Sequence, residues 1–354
     1  MSLRILHITA EALRGGCEKN CFHFVKGGAA DSHSIVVLGT RGPMSDDWES
    51  LKVPVYHLDI LSQNLWSFKR SLQNFLSAAS YDLCICWSTV RLPLQLSAVS
   101  GVARQIKVYL GNPVGPNYNS AKDILLTYFF RQPSKVVLMA CSEYVKMSHQ
   151  ADRYFKRHPI KVSLNPIALP SSMKAGREQM PGHRAGMVAR LDPIKDHATV
   201  IRGFVKVLES FPSAELHIIG DGKLKDDLVG MTSGLGIANS VKFHGDVKDV
   251  YSKLDDLHIF VYATTPQEGL GSAVAEAMAN GLPCVLSDLP MLRELSPTNE
   301  TAEWFIAGDA ADYANKLTSL FGNLERRRSL AKAAFDHAQK NFGVQRFIED
   351  YVND

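Results

Sequence analysis

Short apolar runs rich in β-branched residues recur along this chain at intervals that leave room for a helix, and the series starts again after a proline-rich break. The first series lies at 3–8, 34–38, 55–58, 83–87, 106–110 and 136–141; the second lies at 183–188, 215–219, 241–244, 258–262 and 284–287. Continuous apolar runs of this length suit strands buried on both faces, and helix-sized gaps between them suit parallel crossovers. The pattern predicts an α/β chain with two doubly wound parallel-sheet units, and 354 residues are too many for one ordinary core. We therefore expect a first domain over 1–168, a linker over 169–182 and a second domain over 183–330. A helix from 331 to 354, with Phe335, Phe342, Phe347 and Tyr351, is expected to cross back to the first domain. Ligands in open α/β sheets bind beyond the carboxyl ends of strands. Gly15-Gly16, Gly220-Asp221-Gly222 and Gly269-Leu270-Gly271 each follow a strand, so all three are expected to line a cleft between the units.

Composition narrows the function classes. Hydrophobic residues at 45% and charged residues at 21% describe a soluble globular protein, and no run approaches the ~20 apolar residues of a membrane span. The start lacks the pattern of a signal peptide, which points to the cytoplasm. Cys17, Cys21, Cys84, Cys86, Cys141 and Cys284 have no partners at zinc-site spacing, so no metal is expected and reduced thiols are the simple reading. Charge is uneven. Residues 1–168 hold 19 Lys+Arg against 11 Asp+Glu (+8), whereas residues 169–354 hold 20 against 25 (−5). The basic half suits an anionic partner such as a lipid surface, a lipid pyrophosphate or an anionic glycan, and no nucleic-acid motif accompanies it. Two stretches mix aromatic with basic residues as interfacial helices do: 65–79, with Trp66, Phe68, Lys69, Arg70 and Phe75, and 123–135, with Tyr128, Phe129, Phe130 and Arg131. Helices that pack on their own sheet can carry the same pattern.

The segment Glu268-Gly269-Leu270-Gly271-Ser272-Ala273-Val274-Ala275-Glu276 concentrates chemistry. Two glycines disfavour helix before Ser272, which is a good N-cap, and Gly281 with Pro283 ends the helix that follows. Glu268 is thus expected in a loop at the positive end of a helix, with Glu276 about one turn inside. Free N–H groups and the helix dipole there suit a phosphate, and the two carboxylates suit hydroxyl donors. A sugar nucleotide offers both.

The order of a strand then Gly-Gly, Val188-Ala189-Arg190-Leu191 with Lys195, Ile219-Gly220-Asp221-Gly222 and Glu268-x7-Glu276 resembles the retaining family 4 glycosyltransferases of GT-B fold. The likeness runs over nearly the whole chain and is most specific at 268–283. It implies that Arg190 and Lys195 clamp the donor diphosphate and stabilise the leaving nucleotide, and that the N–H groups of Ser272 and Ala273 hold phosphate. It further implies that Glu276 accepts from the ribose hydroxyls and that Glu268 meets the donor sugar. Gly269, Leu270 and Gly271 complete that loop. Gly15 and Gly16 match a loop approached by the donor phosphates or the acceptor, and Gly222 and Val247 match nucleotide-side positions. The two glutamates then serve different parts of one donor and are not a glycosidase-like acid and base.

The family habit implies a metal-independent enzyme with no cofactor, using a UDP- or GDP-sugar. Its acceptor would be a glycan or lipid-linked glycan in surface polysaccharide assembly, reached from the cytoplasm at the inner membrane face. One departure concerns the acceptor. Many relatives carry a histidine where this chain has Cys86-Trp87-Ser88-Thr89, and none follows until His149. Trp87 could stack on a sugar, and Ser88 or Thr89 could hydrogen-bond one, but no general base is identified. His7, inside the first strand, reads as a core residue. Two other functions stay open: a nucleotide-sugar epimerase of the same architecture, and a catalytically silent glycan- or nucleotide-binding module.

Overall fold

The computed structural model describes residues 2–115, 118–130, 133, 135–174, 176 and 183–353. It divides into two compact units, one of residues 1–166 with 344–354 and the other of residues 167–343. Half of the expected linker, at 175 and 177–182, lies outside the described residues, as does Arg131.

The first unit is a seven-stranded, all-parallel sheet. Its strands are β1 (Arg4–Thr9), β2 (Ser32–Val37), β3 (Val55–His57), β4 (Tyr81–Cys86), β5 (Ala103–Leu110), β6 (Val136–Ala140) and β7 (Ile160–Val162). Their order is β3-β2-β1-β4-β5-β6-β7, so the winding reverses between β1 and β4. The second unit is a six-stranded parallel sheet of β8 (Arg184–Val188), β9 (Glu215–Ile219), β10 (Val241–Phe243), β11 (Ile259–Tyr262), β12 (Cys284–Ser287) and β13 (Glu303–Phe305). Its order, β10-β9-β8-β11-β12-β13, reverses between β8 and β11. Two parallel α/β units are the expected GT-B fold. Central strands such as β11 and β12 are buried at every residue, which is why they read as unbroken apolar runs. The edge strands β7 and β13, three residues each, were not among the expected runs.

Several local expectations need correction. Helix Ser272–Ala279 has Gly271, not Ser272, at its N-cap position, and Ser272 is its first helical residue. Gly271 sits in the left-handed region at φ +82°, where glycine is at home and serine is not. A Cβ there would also lie 2.9 Å from Leu292 and 3.2 Å from the Tyr262 ring. The stretch 65–79 is helical only over Leu65–Leu76, and, among the described residues, the stretch 123–135 only within Ser120–Phe129. In place of one final helix from 331 there are two, Leu324–Asn341 and Val344–Val352. Gly343 stands between them, at the boundary of the units. Helix Val344–Val352 packs on helix Gly16–Gly27 of the first unit and buries Phe347, Ile348 and Tyr351.

Candidate functional site

The second unit brings its charged residues together at the carboxyl ends of β8 and β11, the switch point of its sheet. Beyond β8 the chain runs through Arg190 to Lys195; beyond β11 it runs through Thr264 to Glu268. These two loops are laced together. Asp196 N–H donates to Ala263 O (3.1 Å), Thr265 N–H to Ile194 O (3.0 Å), and Thr264 Oγ1 to Ile194 O (2.9 Å). That lacing sets the Lys195 ammonium directly on Glu268 Oε2.

Glu268 is 7% exposed. Burial alone would push its pKa up. The Lys195 charge and hydrogen bond, the Tyr262 hydroxyl and the Gly269 N–H outweigh burial and hold the carboxyl below its ordinary range. Tyr262 O–H donates to Oε2 at 2.9 Å, Gly269 N–H donates to Oε1 at 3.1 Å, and Lys195 Nζ also donates to the Tyr262 oxygen at 2.9 Å. Burial, followed by the Glu268 charge, raises the Tyr262 phenol well above its usual value. Tyr262 was not among the residues singled out from sequence, where it read as the last apolar position of a strand. The one available signal was its place six residues before Glu268.

The remaining expected residues fall around this pair. Ser272 and Ala273 are half-buried at the start of helix Ser272–Ala279, and Glu276, also half-buried, lies one turn on. Glu276 is close enough to raise the hydroxyls of Tyr251 and Tyr262, in each case after burial. Leu270 is buried beneath the loop. Gly220 and Gly222 let the β9 loop lie flat on the β8 loop. A Cβ on Gly220 would stand 2.0 Å from Ala189 O, and one on Gly222 2.5 Å from Leu191 O. Gly220 N–H in turn donates to Gly245 O (2.8 Å), which brings the half-buried Val247 loop beside the same edge. Arg190 does not join Lys195 on one partner. Its exposed guanidinium pairs with Asp192 at 2.9 Å. His197, buried beside the loop, is held neutral with its pKa down to about 4, chiefly by burial.

In the first unit Gly15 caps helix Gly16–Gly27 beyond β1. The reading of Trp87 as a sugar platform is overturned. The indole is 1% exposed, donates from Nε1 to His7 Nδ1 (3.1 Å), and stacks near His7, Phe347 and Tyr351. A buried ring with its N–H committed has no face for a sugar. Ser88 is half-buried, its Oγ accepting from Val90 N–H (3.2 Å), and Thr89 is exposed.

A second surface feature belongs to the same unit. Helix Ser120–Phe129 buries Leu126 but leaves Leu125 56%, Tyr128 78% and Phe129 62% exposed. Trp66, 65% exposed, meets Phe130 with ring centroids 4.9 Å apart, and Lys69 lies over the same ring at 5.3 Å. Among the described residues no helix is long and apolar enough to cross a membrane.

Comparisons with known proteins bear on the fold and on the likeness of the second unit. Residues 172–337 match the family model of glycosyl transferases group 1. The chain is 31% identical over 138 residues to the sulfoquinovosyl transferase SQD2 of Arabidopsis thaliana, covering 38% of this chain and 26% of that protein. It is 24% identical over 164 residues to the lipopolysaccharide core biosynthesis glycosyltransferase LpsE of Rhizobium meliloti, covering 43% and 45%. The chain thus spans less than half the length of these curated relatives. Across the whole fold it superposes on Anabaena HepE in complex with UDP-glucose with a TM-score of 0.81, 19% identity and coverage of 99% and 98%.

Proposed function

We propose that this protein is a retaining glycosyltransferase of family 4 that moves a hexose from a UDP- or GDP-sugar to a glycan or lipid-linked acceptor in surface polysaccharide assembly. The observation that carries the proposal is the buried Lys195–Glu268 pair at the β8/β11 switch point, directly before the N-terminus of helix Ser272–Ala279. An ammonium and a helix N-terminus together fit a diphosphate, and a buried carboxylate beside them fits sugar hydroxyls. In this reading Lys195, Arg190 and the N–H groups of Ser272 and Ala273 bind the diphosphate. Arg190 gives up its exposed Asp192 partner to do so. Glu276 accepts from the ribose, Glu268 from the sugar, and the loops at Gly222 and Val247 flank the nucleotide. The nucleotide sugar is a co-substrate, and the reaction needs neither metal nor cofactor.

Transfer breaks the bond from the anomeric carbon to the diphosphate and forms one to the acceptor oxygen on the same face. The acceptor proton passes to the departing phosphate oxygen, so no protein base is required. Lys195 and the helix N-terminus stabilise the charge growing on that leaving group, a contribution of about 3 kcal/mol per well-placed donor. The name of one relative, a lipopolysaccharide core biosynthesis glycosyltransferase, supports a lipid-linked acceptor. The exposed Leu125, Tyr128, Phe129 and Trp66, in the basic half of the chain, support peripheral contact with an anionic inner membrane face.

The test is a panel of nucleotide sugars, read by thermal shift and by release of UDP or GDP with and without EDTA. A donor that stabilises the wild type but not Lys195→Ala, and is turned over without metal, is the expected result. Wild-type turnover by folded Glu268→Ala and Lys195→Ala variants would remove the assigned site. Tight nucleotide binding without any turnover would mark a binding module instead, and an altered sugar still on its nucleotide would mark an epimerase.

A further inference from the structure

We infer that Tyr262 is a positioning residue of the donor site, whose hydroxyl holds Glu268 in place when Lys195 turns from the carboxylate to the donor diphosphate. The inference rests on the donor-site reading above. Its basis is a closed ring of hydrogen bonds: Lys195 Nζ donates to Glu268 Oε2 and to the Tyr262 oxygen, and the Tyr262 O–H donates to the same Oε2. A phenol that accepts from an ammonium becomes a stronger donor to the carboxylate.

Consider what remains when a diphosphate draws Lys195 away. Oε1 keeps the Gly269 N–H at 3.1 Å. Oε2 keeps Tyr262 at 2.9 Å and has Thr264 Oγ1 at 3.3 Å. Thr264 has one hydroxyl hydrogen, and the Ile194 carbonyl at 2.9 Å is the nearer acceptor for it. Tyr262 is therefore the committed side-chain donor left on a carboxylate that burial disfavours in its charged form.

The ring is well fixed for this duty. Tyr262 is 2% exposed, lies near-parallel to Phe260 with centroids 6.1 Å apart, and has its edge against Gly271, the N-cap of the phosphate-facing helix. Lys195 Nζ lies 5.5 Å from its centroid. One side chain thus references the ammonium, the carboxylate and the helix start to a single rigid strand end.

Removing only the hydroxyl separates this role from packing. In Tyr262→Phe a donor that claims Lys195 leaves Glu268 short of a partner, so the carboxyl takes up a proton more readily and stops accepting from the sugar. The experiment measures kcat, donor KM and the pH profile of kcat/KM for hydrolysis of whichever of UDP-glucose, UDP-N-acetylglucosamine and GDP-mannose the wild type turns over. Tyr262→Phe, Thr264→Val and Lys195→Ala are compared with the wild type, with circular dichroism and melting temperature alongside. For Tyr262→Phe we expect kcat down about tenfold and the acidic limb of the profile up by about one pH unit. Affinity for UDP or GDP alone stays within about twofold of wild type. Thr264→Val shifts the limb less.

A Tyr262→Phe variant with wild-type kcat and an unmoved acidic limb overturns the inference. So does a fall in kcat matched by a lower melting temperature with no movement of the limb, which is the mark of a structural role. If the wild type hydrolyses none of the three donors, and Lys195→Ala binds UDP and GDP as the wild type does, the donor-site reading itself fails and takes this inference with it.

Discussion

The two units have the same winding, yet the place where it reverses is filled in opposite ways. Between β8 and β11 the second unit sets an ammonium on a buried carboxylate and surrounds both with donors. Beside β1 and β4 the first unit sets an indole on a relay of two buried imidazoles. Trp87 Nε1–H donates to His7 Nδ1 (3.1 Å), so His7 must carry its hydrogen on Nε2 and give it to His33 Nδ1 (3.0 Å). His33 Nε2–H then donates to Gly28 O (2.8 Å). Each tautomer follows from the indole, which can only donate. Phe24, Phe347 and Tyr351 surround Trp87. The lesson is that a switch point is a location the topology offers. Whether it binds a ligand or becomes core depends on the side chains that arrive there.

The largest expected effect comes from breaking the charged half of this contrast. Lys195→Ala leaves a buried carboxylate unpaired, and we expect a loss of about 3 kcal/mol in urea denaturation with donor turnover down about a hundredfold or more. The double variant Lys195→Met with Glu268→Gln removes both charges and should recover most of the stability while staying inactive. If it stays as unstable as the single variant, the pair's role in stability is misread.

Breaking the neutral half should cost less and leave the chemistry alone. Trp87→Phe takes the donor from His7 Nδ1 and is expected to cost about 1–3 kcal/mol, with donor hydrolysis unchanged. A variant that hydrolyses donor normally, is as stable as wild type, and fails only to transfer would restore Trp87 to the acceptor site.

Acid sharpens the comparison further, because each unit holds a buried neutral histidine. Burial, and then the neighbouring His33, push His7 well down, and burial holds His197 down to about 4. The unfolded chain binds protons at these positions near pH 6.5 while the folded chain does not. Stability is therefore full above about 6.5 and falls as pH drops below it, by about 1.4 kcal/mol per pH unit for each such group. The ion pair follows at lower pH. Glu268 has a depressed folded value, so its contribution is present above its unfolded pKa and is lost as pH falls through the folded one. Trp304 reports on the second unit, and Trp48, Trp66 and Trp87 report on the first. A urea midpoint flat from pH 7 to 5 would contradict the neutral histidines.

The smallest stability effect belongs to the exposed face of helix Ser120–Phe129. Tyr128→Ser with Phe129→Ser should change stability by less than about 0.5 kcal/mol for each substitution. The pair should nevertheless reduce co-sedimentation with phosphatidylglycerol vesicles, and unchanged co-sedimentation would remove the membrane contact from the proposed function.

What the sequence disclosed, and what it hid, follows the same division. Strands buried on both faces announce themselves, so β8, β9, β11 and β12 were legible, as were the loops after them. The Glu268 loop was legible because glycine spacing and paired carboxylates are local signals. Trp87 misled because an aromatic residue at a strand end looks alike whether it faces a ligand or is covered. What covers it is Phe347 and Tyr351, some 260 residues away in sequence. Tyr262 stayed hidden for a related reason: in a strand its ring reads as core, and only the fold shows where its hydroxyl ends. Ser272 lost the cap position to Gly271 because the backbone there needs a positive φ, which a preference for cap-forming side chains does not report.

The composition of the first unit, 1–166 joined by 344–354, sets an order of events in folding. Ser163 Oγ donates to Asp350 Oδ2 (2.7 Å) and Arg346 donates to Leu164 O (2.6 Å), contacts that span 187 and 182 residues. A chain leaving the ribosome can form both sheets before helix Val344–Val352 emerges, but the first unit stays unfinished until that helix docks. The earlier-made half is thus the later-finished one. Its Trp87 cluster must wait, partly uncovered, for the whole intervening unit to be synthesised.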